Sequence, residues 1–142
     1  MNKYIKLFLK YLFLGFIGGF TYYNIELIYR GYSHISMFLL ASFLFIIIGL
    51  INEFLSWDTP LFIQSIIGAI IVTVFEFITG CIVNLWLGLN IWDYSNEPLN
   101  VMGQICLPFT LIWIVLSCIA IILDDYLRYY IFNEEKPHYK VF

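Results

Sequence analysis

The sequence of residues 61–89 is LFIQSIIGAIIVTVFEFITGCIVNLWLGL, and Glu76 is the one charged residue within it. A helix needs about 20 predominantly apolar residues to cross a bilayer, so this stretch predicts a membrane span. A charged side chain at the centre of such a span costs roughly 3 kcal/mol even on the insertion scales that give low values. We therefore predict that Glu76 belongs to a functional site.

Three further stretches are long and apolar enough to span a membrane, namely residues 11–28, 37–55 and 102–123. The composition agrees, because 62% of the residues are hydrophobic and 12% are charged, against about 25% charged in a typical soluble domain. The sequence predicts an all-α integral membrane protein with four transmembrane helices in a single membrane domain. Residues 124–142 are predicted to form a polar C-terminal tail.

The positive charges indicate the orientation of the chain in the membrane. Six of the seven Lys and Arg residues lie near the two ends of the sequence, and Arg30 is the exception. With four spans both termini share one side, and the positive-inside rule places that side in the cytoplasm. Asp124 and Asp125 are then expected to be solvated on the cytoplasmic side, while residues 30–36 and 90–101 face outward.

Glu76 has a counterpart, Glu26, fifty residues earlier in an equally apolar stretch, and the same shift aligns Gly18 with Gly68. The simpler alternative is a chance similarity between apolar segments that are built from few residue types. The matched Glu and Gly positions favour an internal repeat over this alternative.

The repeat units are predicted at about residues 11–55 and 61–123, as two parallel two-helix repeats related by a twofold axis along the membrane normal. The first and third spans would then face each other. Gly15 and Gly19 favour close approach on that face, because a small-xxx-small pattern lets helix backbones come together in a membrane. The two Glu side chains would lie on these packed faces rather than toward lipid.

Polar residues at the outer ends of the first and third spans form the candidate binding site. Arg30 follows Glu26 by four residues, the favourable order for an ion pair, whereas Glu76 needs a partner from elsewhere in the fold. The run Trp92-Asp93-Tyr94-Ser95-Asn96 lies on the same predicted side as His34. Oxygen donors with one imidazole suit a divalent cation or a proton path. The candidate ligand-binding residues are Glu76, Glu26, Asp93, Tyr94, His34, Arg30 and Asn84, and the ligands of a metal, if one binds, are Glu26, Glu76 and Asp93.

These residues also have structural interpretations. The pair of Glu26 and Arg30 can simply hold a carboxylate near the membrane interface, and Asp93 or Ser95 can cap a turn. His34 is more often an interfacial hydrogen-bonding residue than a ligand.

The sequence contains no nucleophile–base pairing, P-loop, dinucleotide fingerprint or zinc spacing, so no cofactor is predicted and an enzyme is disfavoured. Cys81, Cys106 and Cys118 lack CxxC spacing and are interpreted as packing residues. No basic patch suits nucleic acid. The predicted partner is the lipid bilayer, while a homo-oligomer, a partner membrane protein and a bound cation are left open.

The second half of the chain, residues 75–114, resembles the CmpB family of small membrane proteins, and Glu26 and Gly31 extend the resemblance weakly into the first half. The family is labelled ABC-transporter type IV, so the resemblance implies a polytopic membrane protein with a role in transport. The residues that carry it are Glu76, Thr79, Gly80, Trp92, Asp93, Tyr94, Ser95, Asn100, Gly103, Ile105, Cys106 and Leu107.

The predicted function is that of a small transporter or channel-like membrane protein with an outward-facing polar carboxylate site for a cation or a small polar solute. Glu76 would be the central ligand, supported by Glu26 and Asp93. The alternative is a non-catalytic membrane module that binds a partner protein or a lipid headgroup through its outer loop. An intramembrane enzyme that uses Asp93, His34 and a tyrosine is the third hypothesis.

Overall fold

The computed structural model describes the whole chain, Met1–Phe142, and contains helices but no β-strands. Four helical stretches are long and apolar enough to cross a membrane, which confirms the predicted all-α architecture with four transmembrane helices. The helical elements are α1 (Lys3–Arg30), α2 (Ile35–Gly49), α3 (Ile51–Phe54), α4 (Leu61–Gly80), a π-helix (Cys81–Trp86) and α5 (Leu107–Phe132).

The helices divide between two compact units. The first unit contains Met1–Asp58 and Ala120–Tyr139, and the second unit contains Thr59–Ile119 and Lys140–Phe142. Helix α5 therefore contributes its first half to the second unit and its second half to the first unit. The internal repeat stays a prediction.

In the first unit, α1 and α2 pack closely through the glycines of α1. A Cβ added at Gly18 would lie 2.7 Å from a ring carbon of Phe45, and one at Gly19 would lie 2.8 Å from the Phe38 carbonyl oxygen. Glycine lets the two backbones approach in an environment where no hydrophobic force drives helices together. The sequence predicts that the face of Gly15 and Gly19 packs between the first and third spans, but the structure places it against α2.

Short polar groups set the ends of α1 and α2. The Asn2 side chain accepts a hydrogen bond from the Tyr4 N–H at 2.9 Å and begins α1. Gly31 ends this helix in a left-handed conformation, with φ of 80°, which costs glycine little. His34 begins α2 by accepting a hydrogen bond from the Ser36 N–H at 3.1 Å. The first span is longer than predicted because its basic residues continue the helix, as Lys side chains can extend from a helix end toward water.

The fourth span differs most from its prediction. The sequence predicts a helix over residues 102–123, whereas α5 covers Leu107–Phe132. Met102 and Gly103 have positive φ angles of 56° and 72°, so the chain turns before the helix begins. Apolar composition alone does not distinguish such a turn from the first turn of a helix.

Asp124 and Asp125 lie within α5 and are buried, so their predicted solvated environment is wrong. Arg128 lies one turn further along the helix, and its Nε donates to Asp124 Oδ2 at 2.7 Å. An ion pair at this spacing supports a helix that contains charged residues. A hydropathy scale places the end of the span at these charged residues, because it does not take ion pairs between side chains into account.

In the second unit, α4 begins after Pro60 without a capping side chain. The Leu61 N–H instead donates to the Lys140 carbonyl oxygen at 2.6 Å, and the Phe62 N–H donates to the Val141 carbonyl oxygen at 3.2 Å. A helix start leaves its first amide groups without partners inside the helix. The C-terminal residues therefore satisfy two of these donors.

Candidate functional site

Glu76 lies on α4 in the second unit and is 2% exposed. Its two carboxylate oxygens accept hydrogen bonds from different parts of the chain. Trp113 Nε1 on α5 donates to Oε1 at 3.2 Å, and the Tyr94 hydroxyl donates to Oε2 at 3.2 Å. A hydrogen bond to a charged group contributes about 1.5–3 kcal/mol, so these two contacts offset part of the cost of burying a carboxylate.

The small and polar residues of α4 share one buried face with Glu76. Ser65, Ala69 and Gly80 are buried on it, at positions that share one side of a helix with Glu76. Thr73, one turn before Glu76, shares a hydrogen bond with the Thr110 hydroxyl at 3.1 Å. Two polar contacts in adjacent turns therefore join α4 to α5.

Residues 87–106 connect the π-helix to α5 and fold back beside α4. A Cβ added at Gly80 would lie 2.6 Å from Gln104 Oε1 and 2.9 Å from the Trp92 ring. Gly80 is the last residue of α4, and the π-helix continues beyond it to Trp86. The segment therefore returns past the end of the helix, and we call residues 87–106 the re-entrant loop.

The Asn84 side chain attaches the re-entrant loop to the π-helix. Its Oδ1 accepts a hydrogen bond from the Ile91 N–H at 2.7 Å, and its Nδ2 donates to Gln104 Oε1 at 2.8 Å. Trp92 Nε1 donates to the Gln104 carbonyl oxygen at 2.9 Å. These buried contacts give Asn84 a structural role, and its role as a ligand stays a prediction.

Tyr94 is the residue of the re-entrant loop that reaches Glu76. Its ring stacks on Phe109 with the ring centroids 4.7 Å apart, and its N–H donates to the Gly103 carbonyl oxygen at 2.7 Å. A Cβ added at Gly103 would lie 2.8 Å from Asp93 Oδ1. Glycine is needed there for this close approach as well as for its positive φ. Tyr94 is therefore held from both its backbone and its ring.

Asp93 is exposed and its carboxylate is engaged within the loop. Oδ1 accepts hydrogen bonds from the Ser95 hydroxyl and from the Ser95 N–H, the latter at 2.9 Å. These hydrogen bonds, the one from the hydroxyl first, lower the pKa of Asp93. Asp93 thus caps a turn, which is the structural interpretation that the sequence left open.

In the first unit, Glu26 is buried beside the end of α1. Its Oε2 accepts hydrogen bonds from Arg30 Nη2 at 2.7 Å and from the Ser33 hydroxyl at 3.1 Å. The Arg30 guanidinium also lies over the Tyr32 ring, 4.8 Å from its centroid. His34, which caps α2, shares a hydrogen bond with the Ser36 hydroxyl through Nδ1 at 2.9 Å.

The predicted site residues therefore fall into two groups. Glu76 contacts Tyr94 within the second unit, and Glu26 contacts Arg30 within the first unit. A single site that combines the two groups stays a prediction. No three His, Cys, Asp or Glu side chains are grouped in a way that could hold a metal ion, so the proposed metal ligands gain no support from the structure.

Sequence reasoning missed Trp113 and Gln104. Trp113 lies in the middle of the predicted fourth span, away from the interfaces where Trp is enriched in membrane proteins. That position could have predicted a hydrogen-bond acceptor beside Trp113, because a buried indole N–H usually finds an acceptor. Gln104 offered no indication, since it lies where the sequence predicts a helix that does not form.

Four apolar helices of membrane-spanning length define the class of this molecule, which is a multi-pass integral membrane protein. Residues 6–140 match the model of the family described as "Putative ABC-transporter type IV", the CmpB family, and the chain belongs to this family. The match extends the resemblance from the second half to nearly the whole chain. No curated protein and no solved structure gives a significant match.

Proposed function

We propose that this protein transports, or forms a path for, a cation or a small polar solute, with Glu76 and the re-entrant loop as the central site. The family description supports a role related to membrane transport. The observation that carries the finer proposal is the hydrogen bond from the Tyr94 hydroxyl to Glu76 Oε2. It joins an irregular loop to a buried carboxylate on a helix of membrane-spanning length.

Irregular backbone is costly at membrane depth. It is tolerated there only where it is buried in protein or lines a water-filled cavity, as in re-entrant loops and the broken helices of transporters. The second unit satisfies the polar groups of its re-entrant loop through Asn84 and Gln104. A π-helical segment such as Cys81–Trp86 is also frequent at functional sites. Both features support a binding role for this part of the chain.

A cation that binds Glu76 competes with Tyr94 for Oε2. Trp113 can hold Oε1 throughout, so the carboxylate stays in position while the Tyr94 ring and its loop shift. In this proposal Glu76 therefore couples the occupancy of the site to the position of the re-entrant loop. Asp93, in the same unit as Glu76, is the proposed supporting carboxylate, on the outer side of the membrane, with both termini in the cytoplasm. The role of Glu26 as a further ligand stays a prediction.

The test is cation-dependent stabilisation of the purified protein in liposomes. A ligand that binds only the folded state stabilises it by about 2.7 kcal/mol at one hundred times its dissociation constant. We expect an increase in the thermal unfolding temperature with one of the alkali, alkaline-earth or organic cations, and its loss in Glu76→Gln. The matched control is Thr73→Val, which removes a polar contact between the same two helices and leaves the carboxylate in place.

Two outcomes contradict the proposal. In the first, Glu76→Gln keeps the same stabilisation by every cation that stabilises the wild type. In the second, Thr73→Val loses that stabilisation to the same extent, which would show that any disturbance of this helix contact removes it. A Glu76→Gln variant that is unstable but still responds to the ligand would assign the carboxylate a structural role.

A second candidate function is a module that binds a partner membrane protein or a lipid headgroup. It is favoured by the surface of the re-entrant loop, where Leu99 is 75% exposed and Met102 is 63% exposed. Both residues have positive φ angles, of 51° and 56°. Left-handed backbone costs a non-glycine residue roughly 1–2 kcal/mol, and such strain is often found at binding sites.

Asparagine adopts left-handed backbone more readily than leucine, so Leu99→Asn separates the two functions. The second candidate predicts a more stable protein that has lost association with its labelled copies or with lipids of one headgroup type in liposomes. Wild-type association in this variant, together with loss of the cation response in Glu76→Gln, would favour the transport proposal.

A further inference from the structure

The start of α1 carries two lysines that have no anion inside the protein. Lys3, Lys6 and Lys10 recur at spacings of three and four residues, so they share one side of the helix. Lys10 pairs with Glu134 at 2.6 Å, and its side chain is 17% exposed. Lys3 and Lys6 are exposed, and neither forms an ion pair within the protein. We call Lys3 and Lys6 the basic pair.

Two carboxylates at this end of the first unit gather around Arg128. Glu134 lies 3.6 Å and Glu53 lies 3.4 Å from Arg128 Nη1. Lys10 marks the level of this group on α1, because it pairs with Glu134. At a rise of 1.5 Å per residue the basic pair lies about 6–10 Å further out. No Asp or Glu precedes Glu26 in α1, so the helix itself supplies no counter-charge.

The opposite side of the same turns is apolar and exposed. Ile5 is 51% exposed, Phe8 is 64% exposed and Leu12 is 58% exposed. These residues also recur at spacings of three and four, so they share a side that lies away from the lysines. On a helix that spans a membrane, such exposed apolar side chains contact acyl chains. The start of α1 therefore has the two faces of a helix at a membrane interface, one basic and one apolar.

The length of α1 places the basic pair at the level of the lipid headgroups. The helix has 28 residues, which is about 42 Å at 1.5 Å per residue. The hydrocarbon of a bilayer is about 30 Å thick, and the headgroup layers bring the total to about 40–45 Å. A helix of this length extends from one headgroup layer to the other. Arg30 ends α1 in one layer, and Lys3 begins it in the other.

We propose that the basic pair binds the headgroup of an anionic phospholipid. The two ammonium groups are one helical turn apart and can reach one phosphate between them, while the methylene groups of the lysines lie along the apolar surface. Ile5 and Phe8 remain among the acyl chains of the same leaflet. The acidic headgroup supplies the negative charge that the chain does not. This inference goes beyond the proposed function and does not depend on Glu76.

The charge of the headgroup decides which lipid the basic pair prefers. A lysine near an anionic membrane surface contributes about a five-fold preference over a neutral one, so two lysines contribute roughly 25-fold. Phosphatidylcholine gains little, because its own ammonium group opposes the lysines. The attraction falls off within about 8 Å at physiological ionic strength, so only lysines at the headgroup level contribute. Lys136 and Lys140 are also exposed and provide a matched pair in the C-terminal segment.

The first test measures the preference of the full chain for phosphatidylglycerol over phosphatidylcholine. The preference is the ratio of the two bound lipids in native mass spectra of protein that is taken from neutral detergent with equal amounts of both. We expect Lys3→Gln with Lys6→Gln to lower this ratio roughly 25-fold. Glutamine keeps a high helix propensity, so α1 is retained. Lys136→Gln with Lys140→Gln removes the same charge and should leave the ratio unchanged.

Two outcomes of this test overturn the proposal. In the first, the variant at positions 3 and 6 keeps the wild-type ratio. In the second, both double variants lose the preference equally, because net charge rather than the start of α1 would then select the lipid.

A second measurement uses the wild type and needs no variant. The protein in vesicles of phosphatidylcholine, with or without phosphatidylglycerol, is treated with a membrane-permeant acetylating reagent, and the reaction rate of each lysine is followed. The surface potential of phosphatidylglycerol acts on every lysine near the membrane, so the basic pair is compared with Lys136 and Lys140 of the same molecules. We expect phosphatidylglycerol to slow acetylation several-fold more at the basic pair, and salt to reverse this protection.

Equal protection of all four lysines overturns the proposal, because it would show a general surface effect without a bound lipid. Protection of the basic pair in phosphatidylcholine vesicles that grows with protein density also overturns it. The pair would then bind an acidic surface on a second copy of the chain rather than a lipid.

Discussion

Tyr94→Phe tests whether the re-entrant loop is held by the carboxylate of Glu76. The substitution removes the hydroxyl that lies 3.2 Å from Glu76 Oε2 and keeps the ring that stacks on Phe109. A hydrogen bond to a charged group contributes about 1.5–3 kcal/mol. We therefore expect the equilibrium constant for unfolding to rise by roughly 10- to 100-fold, since each 1.4 kcal/mol is about a factor of ten.

The same substitution in the Glu76→Gln background makes the test specific. A hydrogen bond between neutral groups contributes about 0.5–1.5 kcal/mol, so Tyr94→Phe should cost about 1 kcal/mol less in that background. Reversible unfolding in mixed detergent micelles of the wild type, both single variants and the double variant gives the coupling energy. An equal cost of Tyr94→Phe in both backgrounds would refute the reasoning, because the hydroxyl would then not act on the carboxylate.

Three further predictions concern other parts of the chain. Gly18→Ala should destabilise the protein by about 1–3 kcal/mol in the same unfolding assay, because its methyl group would overlap Phe45. The pKa of Asp93 is lowered in the fold, so the ionised carboxylate stabilises the turn at pH values above its ordinary pKa, and this contribution is lost as the pH falls through the lowered pKa. The chemical shift of the Ser95 amide should change with this titration in the wild type and should not change in Asp93→Asn. A cysteine that replaces Asn96 should react with an impermeant reagent added outside the cell, and a cysteine near either terminus should not; the reverse pattern would contradict the predicted orientation.

The spans and part of the site were accessible from the sequence because both depend on the cost of placing charge in an apolar segment. This cost identifies Glu76 as a residue that needs a partner, and it places Tyr94 among the candidates, where the structure has a hydrogen bond. The same argument failed for Asp124 and Asp125. They end an apolar stretch, so hydropathy assigns them to solvent. In the structure both are buried in the helix, because Asp124 pairs with Arg128 and Asp125 accepts a hydrogen bond from the Tyr139 hydroxyl.

The helix partners were not accessible in the same way. The glycine face of α1 predicts a close approach of another helix, but a small-residue pattern carries no information about which helix that is. The structure places α2 there, through Phe38 and Phe45. The course of the re-entrant loop depends on single hydrogen bonds of Asn84 and Gln104. No periodic pattern in the sequence predicts such contacts between residues that are far apart in the chain.

The order of synthesis gives the contacts of Glu76 a further consequence. Tyr94 follows Glu76 by 18 residues and Trp113 follows it by 37 residues. At a synthesis rate of about 5–20 residues per second, Trp113 is added roughly 2–7 seconds after Glu76. α4 therefore leaves the ribosome before the segments that carry these two donors. Its insertion must therefore rely on the aliphatic residues around Glu76, and the second unit can close only after α5 has been made.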